Sequence, residues 1–180
     1  MIVSGLTAKQ FQDLAISTLR AACTLAADRV YEQRDWPTGP GMMPAMLVKV
    51  TKERCVSLSR NGPYAFNTTF TLVVIARQAG ITPEVVSPDL LLMVEQIKNA
   101  FLANQEFNQN VQQFVSIETD VVVSAEAKQA FGEVGMQLEV EIFQEYGPDD
   151  GVPLTEIHGT ITDPSSGATS AEFEAAFTQP

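Results

Sequence analysis

Apolar residues fall at helical spacing near the start of the chain. Phe11, Leu14, Thr18, Ala22 and Leu25 share one side of a helix, and Ile16, Leu19 and Cys23 widen the stripe. The spacing predicts a helix over residues 7–27, capped by Thr7 with Gln10 at capping-box distance. A stripe this wide implies a helix well covered by a sheet. The pattern then changes. Residues 28–34 read as a short strand and residues 46–50 as a second. Thr51-Lys52-Glu53 reads as a tight turn into another strand over residues 54–59, and Asn61-Gly62-Pro63 as a turn, since Asn and Gly accept positive φ. Residues 64–77 predict a strand, with Phe66, Thr68, Phe70, Leu72, Val74 and Ala76 on one face and β-branched or polar residues between them. Residues 46–77 therefore predict an antiparallel meander.

The second half repeats the alternation of helix and strand. Ser87-Pro88-Asp89 carries the features of a helix start: a capping serine, proline at the first position, and an acid against the positive end of the helix dipole. Leu90, Val94, Ile97 and Phe101 form its buried stripe. Residues 104–113 are polar and predict a loop or short helical turn; residues 115–123 predict a strand, and 124–131 one or two helical turns. Residues 133–146 predict a strand with one face to the core and one to water or a basic partner. Val134, Met136, Leu138, Val140 and Ile142 point one way, and Glu133, Gln137, Glu139, Glu141 and Glu145 the other. These elements imply an α+β fold, a mostly antiparallel twisted sheet against two main helices. Its domain covers residues 1–146, and residues 147–180 form a C-terminal arm or partly ordered tail. In that tail residues 154–161 could make an edge strand, and Phe173 and Phe177 stand one helical turn apart.

Composition supports a core that needs no staple: 180 residues, 45% hydrophobic and 18% charged. Cys23 and Cys55 fit no metal or redox spacing and are expected to be buried packing residues. The N-terminus shows no secretory pattern, and no apolar run reaches the ~20 residues that cross a bilayer, so a cytoplasmic origin is expected. The net charge of −11 argues against direct nucleic-acid binding. It is also unevenly spread. Residues 1–80 hold nine of the 11 Lys and Arg against five acids, a net of +4, and residues 81–180 hold two against 17, a net of −15. Such a dipolar chain can complement copies of itself head to tail or offer an acidic face.

Candidate chemistry is sparse. The sole histidine, His158, lies in the Thr- and Gly-rich tail, away from any nucleophile elbow. One His and two scattered Cys do not make a zinc site. Gly39-Pro40-Gly41 lacks the Lys-Ser/Thr of a phosphate loop, and Asp149-Asp150-Gly151 lacks the spaced acids of a calcium loop. Glu139 and Glu141 share a strand face and read as solvated or partner-facing. No enzyme, metal or cofactor is therefore expected.

What remains is residues 30–50, VYEQRDWPTGPGMMPAMLVKV, which hold the chain's one Trp beside a Pro-Gly loop with two methionines. Arg34–Asp35 could be a plain surface pair and Trp36 a core plug. Alternatively Trp36, Met42 and Met43 anchor an interface, since Trp, Met and Arg are enriched there. The candidate contact residues are Arg34, Asp35, Trp36, Pro37, Met42, Met43, Lys49, Lys52, Arg54, Arg60, Glu139 and Glu141.

The spacing of Val30, Arg34, Trp36, Pro37 and Pro44, with a helix before it and the hairpin, helix and late strands after it, resembles the tail terminator (tail completion, minor tail protein U-like) proteins of long-tailed bacteriophages and prophages. The resemblance covers roughly residues 8–146. It implies a small α/β protein that forms a hexameric ring on the growing tail tube, stops its polymerisation and offers the surface for joining the head. The implied partners are further copies of this chain, the tail-tube protein and a head-completion or neck protein. The implied location is the tail–neck junction of the virion, after assembly in the host cytoplasm. The segment after Tyr146 is longer than the family pattern requires, which also admits another neck or tail-junction component. A different class of reading is a small-ligand-binding α/β domain with a pocket under the Trp36 loop.

Overall fold

The computed structural model describes residues 2–32, 40–61, 64–126, 129–147, 156–162 and 169–176. In chain order the elements are β1 (Ile2–Ser4), α1 (Ala8–Ala21), β2 (Val30–Tyr31), β3 (Ala45–Ser57), β4 (Tyr64–Gly80), α2 (Pro83–Leu102), α3 (Gln105–Gln109), β5 (Gln113–Glu126), β6 (Gln129–Gly147), β7 (Glu156–Thr162) and β8 (Thr169–Ala176). The chain divides into two compact units, Val3–Gly147 and Met1–Ile2 with Pro148–Pro180. The second contains the antiparallel pair β7–β8. The fold is α+β.

In the larger unit the sheet order is β1–β6–β4–β3–β2, with β5 also on β6. β3, β4, β6 and β5 are successively antiparallel, and β2 runs parallel to β3. The register brings most of the buried positions onto one face: Met46 and Val48 of β3, Phe70, Leu72, Val74 and Ala76 of β4, and Val134, Met136, Leu138, Val140 and Ile142 of β6; Ala45, Leu47 and Thr71, also buried, lie on the other face. α1 and α2 cover that face. An aromatic chain ties the layers together. Phe11 of α1 stacks on Phe70 at 5.1 Å, and Phe107 of α3 sits 5.7 Å from Phe11, 4.9 Å from Phe101 and 6.1 Å from Phe114. Such pairs add about 0.5–1.5 kcal/mol each beyond the area they bury.

Local chemistry sets the boundaries. Thr7 and Gln10 form the expected reciprocal capping box of α1. The helix stops at Ala21 rather than near residue 27, because Ala22 caps it and Cys23 takes a left-handed φ of 50°. This turns Cys23 out to solvent. Cys55 is exposed as well, on the half of β3 that runs past the helices, so neither cysteine is the buried packing residue expected. The strand expected over residues 28–34 is limited to Val30–Tyr31 among the described residues.

Thr51-Lys52-Glu53 makes no turn. β3 continues through it, with a bulge between Val50 and Lys52, and Thr51 Oγ1 donates to the carbonyl of Thr71 at 3.2 Å. The expected meander is thus one long hairpin; Gly62 and Pro63 of its connection lie outside the described residues. α2 starts at Pro83 after Thr82, not at Ser87, and Pro88 lies within it. Thr82-Pro83-Glu84 carries the same start signal five residues earlier. The Thr82 hydroxyl and the Glu84 backbone amide hydrogen-bond the Glu84 carboxylate and hold its pKa below the usual value. Asp89 instead accepts from Gln78 Nε2 at 2.7 Å. The helical turns expected over residues 124–131 are replaced by strand, since Ala125 pairs with Ala130 and Glu126 with Gln129. Pairing across a hairpin outweighs the helix propensity of Ala-Glu-Ala-Lys. In the second unit the strand expected at residues 154–161 is β7, Glu156–Thr162. Phe173 lies in β8, not in a helix, and Phe177 lies outside the described residues.

At the end of the sheet beyond the helices sits a buried amide. Gln144 is fully buried; its Oε1 accepts from Thr68 Oγ1 at 2.7 Å, and its Nε2 donates to the Leu6 carbonyl at 2.6 Å. Tyr146 donates its hydroxyl to the same Oε1 at 3.3 Å, edge-on to Phe66. Burial raises the Tyr146 pKa above 10.0, and the negative charges of the Glu53 carboxylate and of Cys55 as thiolate raise it further.

Two expectations follow. α2 approaches the sheet at Gly132, where an added Cβ would stand 2.3 Å from Leu90 Cδ1 and 2.7 Å from Val86 Cγ1. Both neighbours are fully buried, so any shift of theirs disturbs the packing of the core. Gly132→Ala therefore destabilises by about 1–3 kcal/mol, seen as a lower urea midpoint at unchanged slope; an unchanged midpoint refutes the close approach. For Tyr146 the fold favours the neutral phenol. Its contribution to stability is complete below pH 10 and is lost as pH rises through the raised pKa. The 295 nm alkaline titration of the wild type minus that of Tyr146→Phe gives a component with its midpoint above 10. A midpoint at or below 10 contradicts the assignment.

Candidate interaction surface

The face of the sheet opposite the helices is formed by the positions that alternate with those under the helices, and at one end it includes the buried Ala45 and Leu47. Its rows follow from the register. Lys49, Val73, Gln137 and Glu118 form one, Lys52, Thr71, Glu139 and Ser116 the next, and Arg54, Thr69, Glu141 and Gln113 a third. Toward the other end come Leu47, Ile75, Gly135 and Asp120, and then Ala45, Arg77, Glu133 and Val122. Charge is sorted across this face: β3 carries Lys49, Lys52 and Arg54, β4 contributes mainly Thr and Val, and β6 and β5 carry Glu133, Glu139, Glu141, Glu118 and Asp120.

Sorting requires the bulge. Without it, alternation along β3 would set Lys49 on one face and Lys52 and Arg54 on the other. The extra residue at Thr51 restores Lys52 and Arg54 to the side of Lys49 and sends Glu53 to the helix side, near Tyr146. β3 and β6 are two strand spacings apart, about 10 Å, so these cations and acids do not pair directly. The exception is Arg77, whose Nε donates to Glu133 Oε2 at 2.6 Å across adjacent strands. Both side chains are more than a third exposed, so the pair adds little to stability. Glu139 accepts a hydrogen bond from Ser116 at 3.3 Å. Between the two charge zones a recess of about 110 Å³ is lined by Lys52, Arg54, Thr69, Thr71, Val115 and Glu139. A second, of about 220 Å³, lies where β1 gives way to β5 along the edge of β6, lined by Gly5, Leu6, Gln109, Asn110, Val111, Gln112, Ile142 and Phe143.

Of the residues singled out in the sequence, Lys49, Lys52, Arg54, Glu139 and Glu141 are brought onto this one face. Met42, exposed, and Met43, half-buried, precede β3, beyond the end of the strand away from Arg54. Arg60 is exposed in the connection after β3. Arg34, Asp35, Trp36 and Pro37 lie outside the described residues. The sequence reading passed over Glu118 and Asp120, although their two-residue spacing in a strand places both on one face. It also passed over the outer side of α2, where Val85, Leu91, Leu92 and Leu102 are exposed. Among the described residues no three His, Cys, Asp or Glu side chains gather where they could hold a metal, and no helix is long and apolar enough to cross a membrane.

No family model matches the chain, and no curated protein does. Among solved structures, it resembles a chain of a structure described as the virion of a native gene transfer agent particle. The likeness has a TM-score of 0.40 and 14% identity, and covers 71% of this chain and 91% of that one.

Because Lys52 and Arg54 project from the sheet into solvent, the fold does not need them. Replacing both by Ala is expected to change unfolding free energy by no more than about 0.5 kcal/mol. A loss well above 1 kcal/mol in urea denaturation would make them structural residues rather than contact residues.

Proposed function

We propose that this chain is a non-enzymatic virion assembly protein of the tail terminator type. It closes into a ring on the end of a phage tail tube, ends tube polymerisation and presents the surface that joins the head. The observation that carries the reading is the sorted charge of the helix-free face, basic on β3 and acidic on β5 and β6. One part of such a surface complements a different part of the next copy. A contact of that heterologous kind makes a closed ring when its rotation closes. The resemblance of residues 8–146 to the terminator pattern supports the same reading, and so does a two-helix, mostly antiparallel fold. The recesses of about 220 and 110 Å³ are smaller than the about 300–1,000 Å³ of ordinary small-molecule sites. The larger is lined by no titratable side chain. The further partners in this reading are the tail-tube protein and a head-completion or neck protein, at the tail–neck junction.

Light scattering of the purified chain, alone and with its cognate tail-tube protein, tests this at physiological and high salt. The expected result is a discrete ring-sized oligomer, alone or seated on tube ends, that weakens as salt rises. A strict monomer at high concentration that also ignores the tube overturns the reading.

A further inference from the structure

The ring reading leaves open which surfaces meet, and the two borders of the sheet answer this. Among the described residues, β5 has β6 on one side and no strand on the other. At the opposite border β2 pairs only with Met46 and Leu47 of β3. The amide of Val50 is taken by Gln12 Oε1 at 2.9 Å. Beyond it, residues 52–57 of β3 have β4 on one side and no described strand on the other. Each border therefore offers unpaired backbone groups, ready to accept another strand. Apolar side chains lie exposed along both: Val115, Val121 and Val122 on β5, and Val56 and Leu58 on or just past β3. The borders are opposite in charge. β5 presents Glu118 and Asp120 on the helix-free face, and β3 presents Lys52 and Arg54 on the same face. None of these four has an ion-pair partner among the described residues.

We infer that β5 of one copy adds to the free part of β3 of the next, so that the sheet runs on from subunit to subunit. Strand direction suits this. β3 and β6 run one way and β4 and β5 the other, so a second copy set beside the first in the same orientation brings β5 antiparallel to β3 with their helix-free faces flush. With the copies staggered by two side-chain rows, Asp120 lies opposite Lys52 and Glu118 opposite Arg54. Opposite charges directly across a strand pair are stabilising and like charges destabilising. The contact is head to tail and uses a different border on each partner, as a ring requires. The occupant is a second copy of this chain rather than an unrelated strand, because both complementary borders belong to the same molecule.

This inference rests on the ring reading, and paired charge reversals separate the two. The full chain is made as Lys52→Glu/Arg54→Glu and as Glu118→Lys/Asp120→Lys. The first has two acidic borders and the second two basic ones. Sedimentation and native mass spectrometry are run where the wild type forms its oligomer. Each variant alone is expected to remain monomeric. A 1:1 mixture is expected to recover the oligomer with the variants in equal numbers, since alternating copies restore every contact and close only as even-membered rings. That recovery also shows that both variants are folded. Variants that assemble alone as the wild type does, as when the charges only guard the borders, overturn the inference and leave the ring reading intact. A wild-type oligomer with a mixture that stays monomeric overturns it too. A wild type that forms no oligomer, alone or on tube protein, overturns the ring reading and this inference with it.

Discussion

β4 and β6 are paired along the whole of β4, from Tyr64 opposite Tyr146 to Gly80 opposite Ala130, and the placement of every other element follows from that register. The pleat of a strand has a period of two residues, so fixing one pair fixes the face of all the others. Here it turns Val134, Met136, Leu138, Val140 and Ile142 toward α1 and α2, and Glu133, Glu139 and Glu141 away from them. A slip of one residue would bury the glutamates and expose the core together. Unpaired carboxylates under a helix layer cost several kcal/mol each, so no such alternative competes. The long pairing is both the foundation of the core and the reason an acidic strip exists on the opposite face.

That strip was legible in the sequence because β6 alternates without interruption. The basic half of the same face was legible only as residue types. Lys49, Lys52 and Arg54 do not share a parity, and a regular strand would have split them. Thr51 is the residue that resolves this, since its bulge shifts the alternation by one and realigns the three cations. Read without a partner strand, its polar neighbourhood looks like a turn. Nothing local separates a turn from a bulge; the distinction lies in β4, whose Thr71 carbonyl accepts the Thr51 hydroxyl. Glu118 and Asp120 were readable by the same two-residue rule that identified Glu139 and Glu141, but their position at a border depends on sheet order.

Other differences share this character. α2 has two start signals five residues apart, Thr82-Pro83 and Ser87-Pro88, and both can precede a helix. The earlier one prevails because Val86 packs against the sheet at Gly80 and Gly132, which requires helix before Ser87. Residues 124–131 have helix-forming composition but sit where β5 must return into β6. Cys23 has the spacing of the α1 stripe, yet it falls past the last turn. For α2 and for residues 124–131 a tertiary neighbour chose between two local solutions, whereas α1 ends through its own cap at Ala22 and the left-handed φ of Cys23. The helices' buried stripes, which depend on no such choice, were read correctly at Phe11 and Leu19 and at Leu90, Val94, Ile97 and Phe101.

The same separation of charge bears on the two borders of the sheet that are open among the described residues. A long β5 bearing exposed valines would be an aggregation hazard in a chain of uniform composition. Here the acids of β5 repel the β5 of another copy, and the cations of β3 repel another β3. Like-with-like pairing is disfavoured at both borders, and only the unlike pairing of β5 with β3 combines backbone hydrogen bonds with charge attraction. In the proposed head-to-tail contact, charge that disfavours symmetric pairing would serve direction more than strength. It needs no buried ion pair and no catalytic group. The uneven split of charge between the two halves of the sequence is therefore more than a solubility feature: folding converts it into opposite borders of one sheet.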